Sequence, residues 1–217
     1  MEKGKFILEE SSDDTCLNER VNDMGEAPEG RTANIDEDLV RLVIAGERDL
    51  FAPLYERYYW RVFRMAYGMT GNHGSAEDLT QEIFMRAYQR LKEFRGQSAF
   101  STWLYRVAVN HSLNYRRKHQ GEAREELPAE SGPRAVVDGS TTADAKVMQE
   151  QMTAQVHRAL LTLKPKLRMI VILKDIEGLS YEEIAERAGC SMGTVASRLN
   201  RSRKILSQKL EHLRGAY

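Results

Sequence analysis

Cysteine is scarce in this chain of 217 residues: Cys16 and Cys190 are the only two. A pair of distant thiols cannot build a disulfide framework, and no Cys/His spacing suits a metal, so a reducing cytoplasm is the expected setting. No run of about 18 apolar residues occurs and the N-terminus has no signal-peptide core, so neither membrane insertion nor export is expected. The five histidines, at 73, 111, 119, 157 and 212, form no H-E-x-x-H and no ligand cluster. "GMTGNHGS" is Gly-rich but lacks the Lys-Ser/Thr of a phosphate loop and follows a helical pattern. Gly71 and Gly74 therefore read as helix-stop and turn residues. Nothing calls for a cofactor or a metal, and an enzyme is the weaker reading. Sustained strand-like alternation is missing too. "RMIVILK" is β-rich by propensity, but it is short and lies between helical signals, so it reads as a buried helix.

Net charge is also absent, with 32 basic against 32 acidic residues. The zero hides segregation. Residues 1–34 sum to −5, 35–118 to +3, 119–150 to −4 and 151–217 to +6. Two basic blocks are thus preceded and separated by acidic ones, and phosphate contacts respond to such local charge because salt screens over roughly 8–10 Å. The acidic, aromatic-poor N-terminus, residues 1–33, reads as a disordered extension. "QGEAREELPAESGPRAVVDGSTTADA" has two of the five prolines and no aromatic, which marks residues 119–147 as a flexible linker. Helical periodicity fills 34–118 and 148–217, so the expected fold is all-α, two small helical domains on a tether. Asn34, with Glu37 three residues on, is the N-cap candidate of the first helix.

The segment "SYEEIAERAGCSMGTVASRLNRSRKIL" shows what the second block is for. Ser180 and Glu183 form a capping-box pattern, Ala185 permits close helix approach, and Gly189 suits a left-handed stop. On the helix beyond, Val195, Leu199, Ser202, Leu206, Leu210 and Leu213 form one narrow stripe. The opposite side carries Ser197, Asn200, Arg201, Lys204 and Gln208, all hydrogen-bond donors, and no acid falls within 191–206. A short helix, a tight turn and a longer donor-rich helix describe a helix-turn-helix. The four-residue step from Val195 to Leu199 departs from the three-residue step of many repressors. A dimeric repressor is still the main rival reading, with residues 35–118 as a sensor domain.

The first block presents two faces. In "SAFSTWLYRVAVNHSLNYRRKH", Trp103, Arg106, Asn110, Asn114 and Arg117 fall within roughly an 80° arc. Unpaired amides in a dry core cost about 1–3 kcal/mol each, so this strip suits nucleic acid better. Asn can pair with an adenine edge, Trp can stack on an unpaired base, and Arg can reach phosphate. The preceding "FRGQSAF", with Arg95, Ser98 and Phe100, could hold an extruded base. In "AEDLTQEIFMRAYQRL", Leu79, Ile83, Ala87 and Leu91 point inward, while Asp78, Gln81, Glu82, Met85 and Gln89 point outward. Acids and amides around a methionine suit a basic, partly apolar protein partner.

In this order the two blocks resemble a bacterial sigma-70-family factor of the extracytoplasmic-function (ECF) group, in its RpoE-like envelope-stress branch. "GSAEDLTQEIFMRAYQRLKEFRGQSAFSTWLYRVAVNHSLNYRRKH" resembles region 2, and "LLTLKPKLRMIVILKDIEGLSYEEIAERAGCSMGTVASRLNRSRKIL" resembles region 4. The resemblance implies a transcription initiation factor. Asp78, Gln81, Glu82 and Met85 would contact the β′ clamp helices of core RNA polymerase, with the β flap as a second contact on the enzyme. Arg95, Ser98, Phe100, Trp103, Arg106, Asn110, Asn114 and Arg117 would handle the melted −10 element. Ser197, Asn200 and Arg201 would face the −35 element, flanked by Thr194, Arg198, Arg203 and Lys204 at phosphates or groove edges. An anti-sigma protein is a further implied partner.

Overall fold

The computed structural model describes residues 29–118 and 143–211, with side chains from Ile35 in the first stretch and from Met152 in the second. The expected N-terminal extension, apart from residues 29–33, and most of the expected linker fall outside the described residues. Described residues form helices α1 (Glu29–Ala45), α2 (Phe51–Thr70), α3 (His73–Gln89), α4 (Phe100–Lys118), α5 (Ala143–Leu161), α6 (Pro165–Val171), α7 (Tyr181–Ala188) and α8 (Met192–Lys209). No strand occurs among them.

Local chemistry sets most boundaries. Pro53 sits in the first turn of α2, where a missing N–H costs nothing. Gly71 ends that helix at φ 83°, in the left-handed region. Asn72 then caps α3, its side chain accepting from the Ser75 N–H at 2.9 Å. Gly74 consequently lies inside the first turn of α3, not in the turn before it. Ser180 and Glu183 close a reciprocal capping box on α7, and Gly189 ends it at φ 61°. Asn34 is no cap, because α1 has already begun at Glu29. "RMIVILK" is buried and helical, but α6 relaxes after Val171 into a π-helical turn over Ile172–Ile176.

The first module packs α2, α3 and α4 around Leu54, Val62, Phe63, Met65, Leu79, Ile83, Leu104 and Ala108, with α1 laid against it. Asp36 of α1 is buried and accepts from Arg57 and Tyr58, a polar anchor under the helix. In the second module α6, α7 and α8 enclose Leu167, Ile170, Ile184, Val195 and Leu199. Both expected helical modules are present. They also dock, their apolar residues forming one continuous core.

The docking surface is built for close approach. A Cβ on Gly68 would stand 2.7 Å from Ile172 Cδ1, and one on Gly71 2.5 Å from Leu161 Cδ1. The C-terminal end of α2 is therefore notched where the second module meets it. Tyr67 stacks on His157 with centroids 4.6 Å apart and planes 7° from parallel. Arg168, 1 % exposed, donates across the interface to the Met69 carbonyl at 2.6 Å. Its other bonds reach the carbonyls of Leu160 at 3.0 Å, Leu163 at 3.2 Å, and Leu161. One buried guanidinium thus serves the C-terminal ends of α2 and α5, where a helix dipole favours a cation.

Candidate nucleic-acid interface

Neither α4 nor α8 contains an Asp or Glu. On α4 the buried side is Leu104, Tyr105, Ala108 and Ser112, and the exposed strip is Arg106, Asn110, Asn114 and Arg117. Trp103 is half-buried at the head of the strip, its ring 5.7 Å from Phe94 and 5.8 Å from Phe100. Arg95 is exposed and Ser98 half-buried in the loop that precedes the helix. Phe100 corrects the expectation of a base contact. It is 1 % exposed, enclosed by Tyr58, Phe94 and Trp103, and supports the Trp103 ring from below.

Helix α8 has the same construction. Val195, Leu199 and Ser202 are buried; Ser197, Asn200, Arg201, Arg203 and Lys204 are exposed. Ser191 caps the helix by accepting from the Thr194 N–H at 3.2 Å, and its hydroxyl lies 2.9 Å from that of Thr194. Thr194 and Arg198 are half-buried at the strip's margins, and Ser197 donates to the Thr194 carbonyl at 3.0 Å. Cys190, in the turn, is a half-buried free thiol.

Docking brings these two strips to one side. Asn114 and Arg117 of α4 share a cleft with Ser197, Arg198 and Arg201 of α8. It also engages part of the α4 strip: Arg106 donates to the Glu186 carbonyl at 3.0 Å and lies 3.3 Å from its carboxylate. Within the second module, Arg203 donates to Asp175 at 2.8 Å. Glu177, its side chain 3 % exposed, accepts from Arg64 Nε and Nη2 at 3.0 and 3.2 Å and from the Tyr105 hydroxyl at 3.1 Å. Burial first, and then the Glu177 charge, push the Tyr105 phenol far above its ordinary pKa. The Arg187 guanidinium lies over the same ring, 4.8 Å from its centroid.

The third surface differs in sign. On α3, Asp78, Gln81, Glu82 and Met85 are all exposed, Met85 at 61 %. Glu82 stands 2.8 Å from His111 Nε2, which ties this face to α4. Tyr88, one turn beyond Met85 and also exposed, extends the apolar part and packs edge-on against Phe51. Sequence spacing alone could have found Tyr88.

Matches with known proteins cover both modules. The Sigma-70 region 2 family matches residues 54–122, and the Sigma-70, region 4 family matches 153–206. The chain is 36% identical over 185 residues to the ECF RNA polymerase sigma-E factor of Escherichia coli K12, covering 82% of this chain and 95% of that protein. The chain belongs to the sigma-70 family, in its ECF group. As an ECF sigma factor it binds core RNA polymerase, recognises promoter DNA and promotes melting for transcription initiation. It is also 34% identical over 188 residues to the RNA polymerase sigma-H factor of Pseudomonas aeruginosa, covering 84% of this chain and 97% of that one. Among solved structures, the sigma factor RpoE of Bartonella quintana, bound to the anti-sigma factor NepR, superposes with a TM-score of 0.54 at 25% identity, over 74% of this chain and 96% of its own. CnrH, bound to the cytosolic domain of CnrY, shares the fold at a TM-score of 0.58 and 22% identity, over 82% of this chain and 97% of its own. No described helix of the sigma factor is long and apolar enough to cross a membrane.

Proposed function

We propose that the three surfaces divide the work of initiation. The exposed strip of α4, Arg106, Asn110, Asn114 and Arg117, takes the melted −10 strand, with Trp103 as a stacking platform and Arg95 and Ser98 guiding an extruded base. The α8 strip enters the major groove at the −35 element. Ser197, Asn200 and Arg201 face base edges there, and Thr194, Arg198, Arg203 and Lys204 meet phosphates or groove edges. Asp78, Gln81, Glu82 and Met85 dock on the β′ clamp helices of the polymerase, and the second module meets the β flap. The units that act are residues 34–118 and 148–217, and the role uses no catalysis of the chain's own.

One observation supports this division above the rest: both strips lack acidic side chains, whereas the α3 face joins Asp78 and Glu82 to an exposed methionine. Nucleic acid and a basic protein groove would select for that contrast. An anti-sigma protein as partner accords with the relative solved in complex with the anti-sigma factor NepR; a stress-response role and a cytoplasmic, nucleoid-associated location belong to the same proposal. Run-off transcription with reconstituted polymerase on a promoter library tests the whole. Asp78→Lys with Glu82→Lys is expected to weaken polymerase binding about tenfold or more; an unchanged affinity would remove α3 from the interface.

A further inference from the structure

The cleft shared by the two strips has a volume of about 570 Å³. Its walls are the end of α4, the N-cap and first turn of α6, and the first half of α8. Five cations line it: Arg117, Lys164, Lys166, Arg198 and Arg201. No acidic side chain does, and Asn114 and Ser197 add neutral donors. Several cations outside it are paired within the chain: Arg64 with Glu177, Arg106 with Glu186, Arg187 with Glu183 and Arg203 with Asp175. Among the described residues, none of the five in the cleft makes an ion pair. Like charges gathered around a concavity repel one another and attract a counter-ion of matching valence.

Three features fix the chemistry of that counter-ion. Three Arg forks and two Lys ammonium groups match phosphate oxygens, the former in bidentate fashion. Five positive charges exceed the charge of one orthophosphate, so a longer anion of higher charge matches them better. The volume falls in the range of small-ligand sites, about 300–1,000 Å³. We infer that this cleft binds a small polyphosphate, inorganic or carried on a nucleoside, and that its occupancy holds the two modules docked. One wall belongs to the first module and the others to the second, so the complete site exists only in the docked form. A ligand that needs both walls favours that form by its differential affinity. Building on the promoter contacts proposed above, the ligand would also compete with DNA for Asn114, Arg117, Ser197, Arg198 and Arg201.

The test uses the full chain, inorganic tripolyphosphate as probe, and titration calorimetry at constant ionic strength. Lys164→Glu with Lys166→Glu alters the one wall that carries no proposed promoter contact. Tripolyphosphate is expected to bind the unaltered chain at least tenfold more tightly than the double variant, and at least tenfold more tightly than orthophosphate binds. Energy transfer between dyes on the two modules is expected to rise with tripolyphosphate in the unaltered chain only. Equal affinity of chain and variant, equal affinity for orthophosphate, or unchanged energy transfer would overturn the site. Adenosine triphosphate binding more tightly than tripolyphosphate would make the occupant a nucleoside polyphosphate; the reverse would make it an inorganic chain. None of these measurements involves a promoter, so failure of run-off transcription leaves their outcome intact.

Discussion

Replacing Arg168 by Met tests whether one buried cation sets the stability of the docked sigma factor. Methionine fills much of the volume, so the change isolates the polar loss from a cavity. Four backbone carbonyls, those of Met69, Leu160, Leu161 and Leu163, lose a charged donor. A buried carbonyl left without a partner costs about 1–3 kcal/mol, and water entering the gap recovers part of the total. The expected loss is about 3–5 kcal/mol, a large share of the roughly 5–15 kcal/mol that holds a domain folded. With a urea slope of about 2 kcal/mol per molar, the far-ultraviolet circular-dichroism midpoint should fall by about 2 M. Arg168→Lys should recover only part, since a single ammonium cannot span carbonyls that a planar fork reaches from three nitrogens. A midpoint shift under about 0.5 M for Met, or full recovery by Lys, would refute the assignment of the stabilisation to these bonds.

Asn110→Ala with Asn114→Ala should lower open-complex formation about tenfold or more per residue, with polymerase affinity held within about twofold. Equal losses in both assays would make the pair structural. Arg201→Ala should relax base preference at the upstream element by about 1–3 kcal/mol, read from binding to a library of −35 variants; a uniform loss across sequences would mark it as a phosphate contact. Acid should loosen the docked form through His157. Burial holds this imidazole below its ordinary pKa, the Arg168 charge adds to the effect, and the Tyr67 backbone carbonyl opposes it. The folded chain therefore keeps His157 neutral, while the unfolded chain takes up a proton below about pH 6.5. Stability should fall as the pH drops through that value and level off below the folded pKa. His157→Phe keeps the stack on Tyr67, so its melting temperature should lose most of the change between pH 7.5 and 5.5. An equal slope in the variant would assign the proton to another group.

What could be read from the sequence was whatever one helix writes into its own periodicity. The strips of α4 and α8 were legible because a 3.6-residue period separates Asn110 and Asn114 from Leu104 and Ala108, and Ser197 and Arg201 from Val195 and Leu199. The box of Ser180 and Glu183 and the stop at Gly189 were legible for the same local reason. Asn34 failed because an Asn with Glu three residues on can also fall inside a helix that began earlier, here at Glu29. Phe100 failed because an aromatic beside a binding loop can equally be its support, and only the rings of Tyr58, Phe94 and Trp103 decide which.

Docking was hidden by distance along the chain, although it left two local traces. Glu177 meets Arg64 across 113 residues and Tyr105 across 72, separations on which no helical period reports. Yet Gly68 stands in the last turn of α2, before the stop at Gly71, where a helical glycine still costs up to about 0.5–1 kcal/mol relative to alanine. A helix that carries this cost without a bend or a cap needs a neighbour too close for a methyl group, and Ile172 is that neighbour. Arg168 likewise interrupts "KLRMIVIL", a run that otherwise seeks burial. A cation carried into such a run must find acceptors there, and helix C-termini supply them in carbonyls that lack intrahelical donors. A glycine without local cause and an arginine in an apolar stretch thus point at each other: the first marks where a second body comes close, and the second marks what ties it there.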